Sequence, residues 1–377
     1  MPLPFDNPEP KATLAGRVWR SGVGPSVVAI RGEAVVDITS RETPTMRDLL
    51  ESEAPGDRVR SAKGETLCAL SDLGQPGAPS VIAPPDLQAV KASGVTFARS
   101  MVERVIEEQA AGNPDRAQAI RERVAAVIGD SLRGIVPGSD KAMEVKRLLQ
   151  AEKLWSPYLE VGIGPDAEVF TKCQPMAAVG YGAEVGLHPI STWNNPEPEI
   201  VLAVNSKGDI LGATLGNDVN LRDIEGRSAL LLGKAKDNNA SCAIGPFLRL
   251  FDDGYTMDDV HQAELDLLVT GPDGFRMEGH SSMREISRKP ADIVCQTIGR
   301  HHQYPDGFFL FLGTLFAPIQ DRDAPGKGFT HKAGDVVTIS EAKLGSLRNT
   351  VRLSTHCPEW TFGTAALMRN LAGRKLL

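Results

Sequence analysis

Two glutamates stand at alternate positions in the segment NNPEPEIVLAV, where Glu197 and Glu199 flank a proline and precede a hydrophobic run. Alternate side chains of a strand point to the same face, so the two carboxylates are predicted to lie side by side. Like charges held this close repel each other unless a cation lies between them. The pattern therefore indicates either a metal site or a solvated acidic start of a strand.

A third carboxylate follows on the next predicted strand. The segment DILGATLGNDV is expected to return antiparallel and to end at Asp218. Three carboxylates on adjacent strands favour a hard divalent cation such as Mg²⁺ or Mn²⁺, because both ions prefer oxygen ligands. Downstream, Arg222, Lys234 and Lys236 are close enough in sequence to neutralise the cluster or to clamp a carboxylate substrate. A surface network of ion pairs is the alternative interpretation of these cations.

Short hydrophobic runs separated by turn residues predict strands along most of the chain. They are TLAGRVWR, SVVAI and AVVDI near the start, and EIVLAV, DILGATL, AELDLLV, GFFLFLG and DVVTIS after residue 165. Helices are predicted at TPTMRDLLES, three times between residues 97 and 152, and at PADIVCQTIG. Because strands and helices do not alternate regularly, a mostly antiparallel core is favoured over a doubly wound sheet.

A segment rich in proline and glycine, GQPGAPSVIAPP at 74–85, predicts a linker. It would separate a small N-terminal domain, residues 1–85, from a larger domain, residues 86–377. The larger domain would contain the helical segment 97–152 and all of the candidate site residues.

Composition narrows the class of protein. The 377 residues carry a net charge of −7 and no dense basic block, which argues against a nucleic-acid partner. No apolar run approaches the roughly 20 residues that span a bilayer, and the start MPLPFDNPEP lacks the pattern of a signal peptide. Five scattered cysteines without a C-x-x-C pair predict neither a disulfide framework nor a thiolate zinc site. A cytoplasmic enzyme acting on a small molecule is therefore expected, with no membrane partner.

Several motifs, taken in their order along the chain, resemble the fumarylacetoacetate hydrolase superfamily. The resemblance spans residues 93–352, and no single motif would carry it. The matching elements are the E-x-E pair, D-x-x-x-R-D at 218–223, AKDNNASCAIGP with Lys236, Gly313–Thr314, Gly334–Asp335, and LGSLRNTV at 344–351.

The resemblance implies an α+β fold with a mixed β-roll core, peripheral helices and a small N-terminal β-rich domain. It also implies one divalent metal, Mg²⁺ or alternatively Mn²⁺, held by Glu197, Glu199 and Asp218. In this superfamily the metal chelates a 2-keto acid through its carboxylate and keto oxygens. Members usually form homodimers, so a homodimer or a higher homo-oligomer is expected.

The same resemblance suggests substrate contacts. Lys236 matches the lysine that lies beside the substrate, and Thr314 with Gly313 matches the loop that caps the substrate carboxylate. Arg222 and Phe97 are expected to complete the substrate-binding set.

One departure from the hydrolase pattern affects the chemistry. Family hydrolases activate water with a His–Glu pair, but the corresponding segment GVTFARSMVE has Ser100 where the histidine should stand, while Glu103 is kept. A serine hydroxyl cannot take a proton from water near neutral pH as imidazole does. The loss of this histidine therefore argues against hydrolysis.

The GVTF segment with Ser100, together with Glu168 in DAEVFTK, is similar to the 2-keto-3-deoxy-pentonate dehydratases of the superfamily. These enzymes convert 2-keto-3-deoxy-D-pentonate, derived from D-arabinonate or D-xylonate, to 2,5-dioxopentanoate. The resemblance implies that Mg²⁺ polarises the C2 ketone and stabilises the enolate. Glu103 or Glu168 would take the C3 proton or assist departure of the C4 hydroxyl.

In the same interpretation Lys236 would stabilise the enolate, and Ser100 would hydrogen-bond a substrate hydroxyl. Each glutamate also has a structural alternative, since Glu103 has Arg99 one helical turn back and Glu168 could be an ordinary surface residue.

Two other functions stay open at this point. The first is a hydrolase or decarboxylase of acylpyruvates and other 2,4-diketo acids, which would use the same metal with a different activator of water. The second is a catalytically inactive protein that binds keto acids. Product analysis separates these functions, because a dehydratase leaves all carbons in one molecule and a hydrolase makes two acids.

Overall fold

The computed structural model describes most of the chain. The described residues are 9, 11–97, 101, 105–106, 108–111, 113, 116, 135–151, 155–326 and 328–377.

The described residues form two sheets, of which the larger has eleven strands. Ten of these strands follow the order β4-β3-β2-β1-β11-β10-β9-β14-β6-β7, and the eleventh, β5, pairs with β1 outside this order. These strands are β1 Leu14–Arg20, β2 Gly24–Arg31, β3 Ala34–Asp37, β4 Glu65–Ala69, β5 Ser80–Ile82, β6 Ala89–Gly94, β7 Glu168–Cys173, β9 Asn195–Val204, β10 Ile210–Asn220, β11 Cys242–Leu250 and β14 Phe308–Phe311.

The smaller sheet has five strands in the order β13-β12-β15-β16-β8. They are β8 Glu184–Leu187, β12 Glu264–Thr270, β13 Arg276–Ser282, β15 Val336–Glu341 and β16 Gly345–Leu353. Among the described strands only β14 with β6 and β16 with β8 pair in parallel. The expectation of mixed but mostly antiparallel sheets is therefore confirmed.

Helices lie around the sheets and begin where the sequence supplies caps. The described ones are α1 Met46–Leu50, α2 Pro55–Ser61, α3 Asp140–Ala151, α4 Pro157–Ile163, α5 Arg222–Glu225, α6 Leu232–Lys236, α7 Met257–Gln262, α8 Pro290–Thr297 and α9 Thr364–Gly373, with 3₁₀ turns at Leu70–Asp72, Ala229–Leu231 and Met283–Glu285.

Three of the predicted helices are confirmed, namely α1, α3 and α8. In α1 the Thr45 hydroxyl accepts the Asp48 N–H, and in α3 the Ser139 hydroxyl accepts the Ala142 N–H at 3.2 Å. Both bonds satisfy donors that the first turn of a helix leaves unpaired. The other two helices predicted between 97 and 152 fall mostly outside the described residues.

The N-terminal strands belong to the same sheet as the rest of the chain. Strand β1 pairs with β11, with Leu14 opposite Arg249. The segment expected to be a linker contains β5, which pairs with β1 through residues 80–82. The division into two domains at residue 85 stays a prediction.

Hydrophobic side chains fill the space between the two sheets. Leu215 of β10 shares one buried cluster with Leu267 and Leu347 of the smaller sheet. A second cluster covers the opposite face of the large sheet, where Leu49 of α1 packs with Leu248 of β11. Both faces of the central strands are therefore buried, so any polar side chain on them needs a partner inside the protein.

Strands β9 and β10 form the hairpin that carries the acidic residues. The side chain of Asn205 closes the turn by accepting the N–H groups of Lys207 and Asp209 at 3.0 and 2.9 Å, and Gly208 adopts a φ of +89°. This Asn-Ser-Lys-Gly-Asp turn sets the register in which Glu199 lies opposite Gly216. A Cβ atom at position 216 would lie 2.3 Å from the Phe311 ring, so only glycine fits there.

In the described part of the chain, no helix has both the length and the apolar character that crossing a membrane requires.

We expect Gly216→Ala to lower the free energy of unfolding by about 1–3 kcal/mol, because the added methyl group overpacks a rigid core. Chemical denaturation would measure the change. Gly233→Ala is the matched control, since a Cβ atom at position 233 in α6 would have nothing within 4 Å. That variant should be neutral or more stable by up to about 1 kcal/mol. Equal losses in both variants would contradict the packing argument.

Candidate active site

The hairpin brings three carboxylates together at one end of the large sheet. Glu197 lies directly opposite Asp218, and Glu199 follows two residues along β9. All three residues are buried, with exposures of 5%, 3% and 2% for Glu197, Glu199 and Asp218. One carboxylate oxygen from each lies within 4.8 Å of the others. The sequence-based expectation of a carboxylate triad on neighbouring antiparallel strands is thus matched by the geometry.

Two buried lysines contact the triad. The Lys236 Nζ lies 3.1 Å from both Glu197 Oε2 and Asp218 Oδ2. The Lys172 Nζ lies 3.1 Å from Asp218 Oδ1 and also donates to the main-chain oxygens of Lys236 and Ser241 at 2.7 and 3.0 Å. Lys172 therefore ties β7 to the end of α6 and holds the second lysine in place.

Neutral donors orient the two glutamates. The Asn220 side chain donates to Glu197 Oε1 at 3.0 Å, and the Gly313 N–H donates to Glu199 Oε2 at 2.6 Å. Gly313 has a φ of +85°, and a Cβ atom there would lie 2.3 Å from the Thr96 hydroxyl oxygen. Position 313 therefore requires glycine for its conformation and for its closeness to Thr96.

The charges of the cluster shift its pKa values in opposite directions. Burial, followed by the charges of Asp218 and Glu197, raises the pKa of Glu199 well above its ordinary value. Burial alone would also raise the pKa of Asp218, but the ion pairs with Lys172 and Lys236 lower it below its ordinary value. Glu199 consequently needs a further cation more than Asp218 does in order to stay ionised.

Glu168 approaches the same cavity from β7. It pairs in register with Gly94 of β6, and both residues line the cavity together with Ser93. A Cβ atom at position 94 would lie 2.0 Å from Glu168 Oε2, so the absence of a side chain at 94 makes room for this carboxylate. The alternative of an ordinary surface position for Glu168 does not describe this environment, because the residue is half-buried in the cavity wall.

Of the residues predicted to contact substrate, the structure places three in the cavity wall and one in the hydrophobic core. Arg222 and Thr314 line the cavity, and the Arg222 guanidinium lies 4.2 Å from the centre of the Trp193 ring. Gly313 lines it as well. Phe97 is fully buried in the core, and its main chain forms an isolated antiparallel β-bridge with Ile286. Its ring is not part of the cavity wall. Its expected contact with substrate has no support from this geometry, since the burial of its ring is explained by packing.

Ser100 and Glu103, predicted from the resemblance to act on the substrate, lie outside the described residues.

The cavity has a volume of about 760 Å³, which includes space that is open to solvent. Five carboxylates and two cationic side chains are among the residues that line it: Glu168, Glu197, Glu199, Asp218 and Glu225, with Arg222 and Lys236. The excess of negative charge and the all-oxygen donor set fit a hard divalent cation at the triad, with water or a substrate oxygen completing its coordination.

Three polar residues of the site were not singled out from the sequence, although periodicity could have found them. Asn220 follows Asp218 by two residues on one strand, and Lys172 follows Glu168 by four, so each shares a face with its neighbour. Glu225 follows Arg222 by three residues and therefore lies on the same side of α5. Periodicity places each of them on the same face as a candidate residue, whereas their contacts with the triad or with Lys236 depend on how the elements assemble.

Residues 162–352, just over half of the chain, match the family described as fumarylacetoacetate (FAA) hydrolase, C-terminal. The chain belongs to this family. The matched region contains the triad, both lysines, Glu168 and the Gly313–Thr314 loop. The family predicted from the ordered motifs is therefore confirmed.

Two relatives of known name align with the chain. It is 30% identical over 185 residues to the 2-dehydro-3-deoxy-D-arabinonate dehydratase of Saccharolobus solfataricus, covering 49% of this chain and 58% of that protein. It is 27% identical over 256 residues to the probable 2-keto-3-deoxyxylonate dehydratase of Haloferax volcanii, covering 68% of this chain and 84% of that protein. The chain thus spans less than two thirds of the length of the first relative.

Solved structures show the same fold. A 2-keto-3-deoxy-D-arabinonate dehydratase in its apo form superposes with a TM-score of 0.64 at 22% identity, covering 90% of this chain and 99% of that one. The same enzyme complexed with magnesium and 2,5-dioxopentanoate gives a TM-score of 0.62 at 21% identity, with the same coverage. The predicted fold class, mixed sheets with peripheral helices, is confirmed by these superpositions.

We expect a divalent cation to stabilise the protein, by about 2.7 kcal/mol at a hundredfold excess over its Kd. Thermal unfolding with and without Mg²⁺ would measure this gain. In Glu199→Gln the gain should vanish, whereas the cation-free variant should be at least as stable as the wild type because a buried carboxylate has been removed. Glu278→Gln, an exposed carboxylate on β13, is the control and should keep the full gain.

The pH dependence of stability should differ between the cation-free protein and the protein with bound Mg²⁺. The folded pKa of Glu199 is raised, so the folded cation-free protein binds this proton more tightly than the unfolded chain does. The contribution of Glu199 to stability is therefore present at low pH and lost as pH rises through the folded pKa. The gain from Mg²⁺ should instead increase with pH, because the cation competes with the proton. A gain independent of pH would contradict a role for Glu199 as a ligand.

Proposed function

We propose that this protein is a metal-dependent hydro-lyase that converts 2-keto-3-deoxy-D-pentonate, derived from D-arabinonate or D-xylonate, to 2,5-dioxopentanoate. The observation that carries the proposal is the buried carboxylate triad with Lys236 on one side and Glu168 in the facing cavity wall. That arrangement combines a site for a cation, a fixed positive charge and a separate carboxylate in one small cavity. A metal-assisted dehydration next to a ketone uses the cation and the positive charge to stabilise the enolate, and the carboxylate to transfer the proton.

The relatives support the same activity. Both are named as dehydratases of a 2-keto-3-deoxy pentonate, and a structure with the same fold is described as complexed with magnesium and 2,5-dioxopentanoate. We therefore propose Mg²⁺ as the ion, with Mn²⁺ as the alternative that oxygen ligands also accept. A cytoplasmic location and a homo-oligomeric state remain predictions from the sequence.

Glu197, Glu199 and Asp218 would hold the ion. When bound, it would supply Lewis-acid polarisation of the ketone and so acidify the protons on C3. Lys236 contributes a second positive charge beside the triad and stabilises negative charge on the keto oxygen. Thr314 and Gly313 form the loop beside Glu199, where they would cap the substrate carboxylate.

Glu168 is the described carboxylate best placed for proton transfer. It belongs to a different strand from the triad, and it stands in the cavity wall beside Gly94. In the proposed reaction Glu168 removes a proton from C3 and passes it to the C4 hydroxyl, which leaves as water and creates a double bond between C3 and C4. A proton then moves from C5 to C3, which gives an enol with a double bond between C4 and C5. This enol loses its hydroxyl proton while C4 gains one, and C5 becomes the aldehyde. The balance is loss of one water, with no oxidant or reductant.

The first experiment is an NMR time course of the protein with Mg²⁺ and 2-keto-3-deoxy-D-pentonate. We expect the signal of the aldehyde of 2,5-dioxopentanoate to appear and to be absent after treatment with EDTA. Restoring Mg²⁺ to the treated sample should restore the reaction. If the pentonate stays unchanged while an acylpyruvate is split into two acids, the protein is a hydrolase and the proposal is wrong.

We expect Glu168→Gln to lower kcat by roughly 100-fold or more with little change in KM, because the amide cannot accept the C3 proton. Steady-state kinetics with substrate deuterated at C3 would measure this step. Gly94→Ala should also lower kcat, since its Cβ atom would displace the Glu168 carboxylate. Glu278→Gln serves as the exposed control and should match the wild type. Unchanged turnover in Glu168→Gln would remove this residue from the mechanism.

A further inference from the structure

The chain segments that follow strands β6 and β14 lie side by side next to the triad. The two strands pair in parallel, with Ala92 opposite Phe311, so their carboxyl ends meet at the same edge of the sheet. Thr96 follows the end of β6 by two residues, and Leu312 and Gly313 follow β14 directly. The register therefore brings Thr96 against the peptide group between Leu312 and Gly313.

This peptide group links Thr96 to the triad. The Thr96 hydroxyl donates to the main-chain oxygen of Leu312 at 2.5 Å. That oxygen and the Gly313 N–H belong to the same planar group, and the N–H donates to Glu199 Oε2 at 2.6 Å. Because the group is planar, the hydroxyl that holds its oxygen also fixes the direction of its N–H. Thr96 itself is 1% exposed and lies behind the cavity wall.

Contacts on both sides fix the position of Thr96. Its main-chain oxygen accepts the Ser287 N–H at 2.8 Å, and Phe97 after it forms the β-bridge with Ile286. Val95 before it lines the cavity with a φ of +55°, which a β-branched residue rarely adopts. Such a conformation persists only where the surrounding structure imposes it. The hydroxyl is therefore presented to the peptide from a fixed place.

The peptide needs such a restraint because of the residue that follows it. Glycine adopts positive and negative φ with similar ease, so the group before Gly313 has more than one accessible orientation. The Thr96 hydroxyl favours the orientation that aims the N–H at Glu199. A hydrogen bond to an ionised carboxylate is strong and directional, and the affinity of a metal site depends on such partners of its ligands.

We propose that Thr96 is a positioning residue of the cation site. Its hydroxyl holds the peptide between Leu312 and Gly313, and through the Gly313 N–H it keeps the Glu199 carboxylate directed at the other two carboxylates of the triad. The inference rests on the proposed function only in taking Glu199 as a ligand of the cation. Thr96 contacts no substrate and transfers no proton in this role.

Two variants separate the hydroxyl from the packing of the side chain. Thr96→Val keeps nearly the same shape and lacks the hydroxyl, whereas Thr96→Ser keeps the hydroxyl and lacks the methyl group. Calorimetric titration of the cation-free full chain with Mg²⁺ would give the Kd values. We expect Mg²⁺ to bind about 10-fold more weakly to Thr96→Val and with nearly wild-type affinity to Thr96→Ser.

Thr297→Val is the matched control. The Thr297 hydroxyl donates to the main-chain oxygen of Ile293 at 2.8 Å within α8, and Thr297 is 4% exposed and does not line the cavity. This variant loses the same kind of buried hydrogen bond, so its loss of stability should resemble that of Thr96→Val. Its Kd for Mg²⁺ should equal that of the wild type. Thr96→Ala and Thr297→Ala replace the pair if either valine variant does not fold.

A second measurement needs neither cation nor substrate. The proton NMR signal of the Gly313 N–H reports its short bond to Glu199, which shifts the signal downfield. In the cation-free protein we expect this signal to move upfield in Thr96→Val and to keep its position in Thr96→Ser and Thr297→Val.

Four results would each overturn the inference: no binding of Mg²⁺ to the wild type, an unchanged Kd in Thr96→Val, an equal loss of affinity in Thr297→Val, or an unchanged Gly313 signal in Thr96→Val. The outcome is separable from that of the proposed function. Weaker Mg²⁺ binding in Thr96→Val alone, without dehydration of the pentonate by the wild type, would support the role of Thr96 and refute the dehydratase. Dehydration by the wild type with an unchanged Kd in Thr96→Val would do the reverse.

Discussion

The arrangement of the whole site depends on three carboxylates held together in a place that water hardly reaches. Their mutual repulsion is opposed locally by the two lysines, while the register of β9 with β10 places Glu197 directly opposite Asp218. Three neighbouring elements supply groups that contact the carboxylates. Helix α6 presents Lys236, β7 presents Lys172, and the glycine turn at 313 presents an N–H to Glu199. The remaining charge imbalance defines what kind of ligand the cavity accepts.

The triad was predictable from the sequence because its geometry is local. Glu197 and Asp218 lie on consecutive strands joined by a short turn, and the residue types from Asn205 to Asp209 are typical of such a turn. Alternation along a strand then fixes which side chains meet. The family resemblance extended the prediction to Lys236 and Thr314, which local pattern alone does not connect to the triad. The fold class followed from the same ordered motifs.

Other parts of the site could not be predicted, because they depend on contacts between distant segments. Nothing in the local sequence shows that Gly313 must avoid the Thr96 hydroxyl, or that Gly94 must leave space for Glu168. The position of Phe97 in a matching motif predicts a substrate contact, which stays a prediction, and in the structure its ring is part of the core. A motif indicates which residue types recur together, but the assembled strands decide whether a side chain faces a cavity or the interior.

The pairing of β1 with β11 and of β6 with β14 has a consequence for any shortened form of this chain. The family-matched region begins at residue 162, but both β1 and β6 precede it and hydrogen-bond to strands within it. A fragment starting there would leave unpaired main-chain groups along β11 and β14, and β7 would lose its neighbour. Exposed edges of that kind recruit strands from other molecules and lead to aggregation. The strands that carry the triad, β9 and β10, thus lie inside the large sheet, and β1 and β6, which cover β11 and β14 on either side, hold none of the three carboxylates.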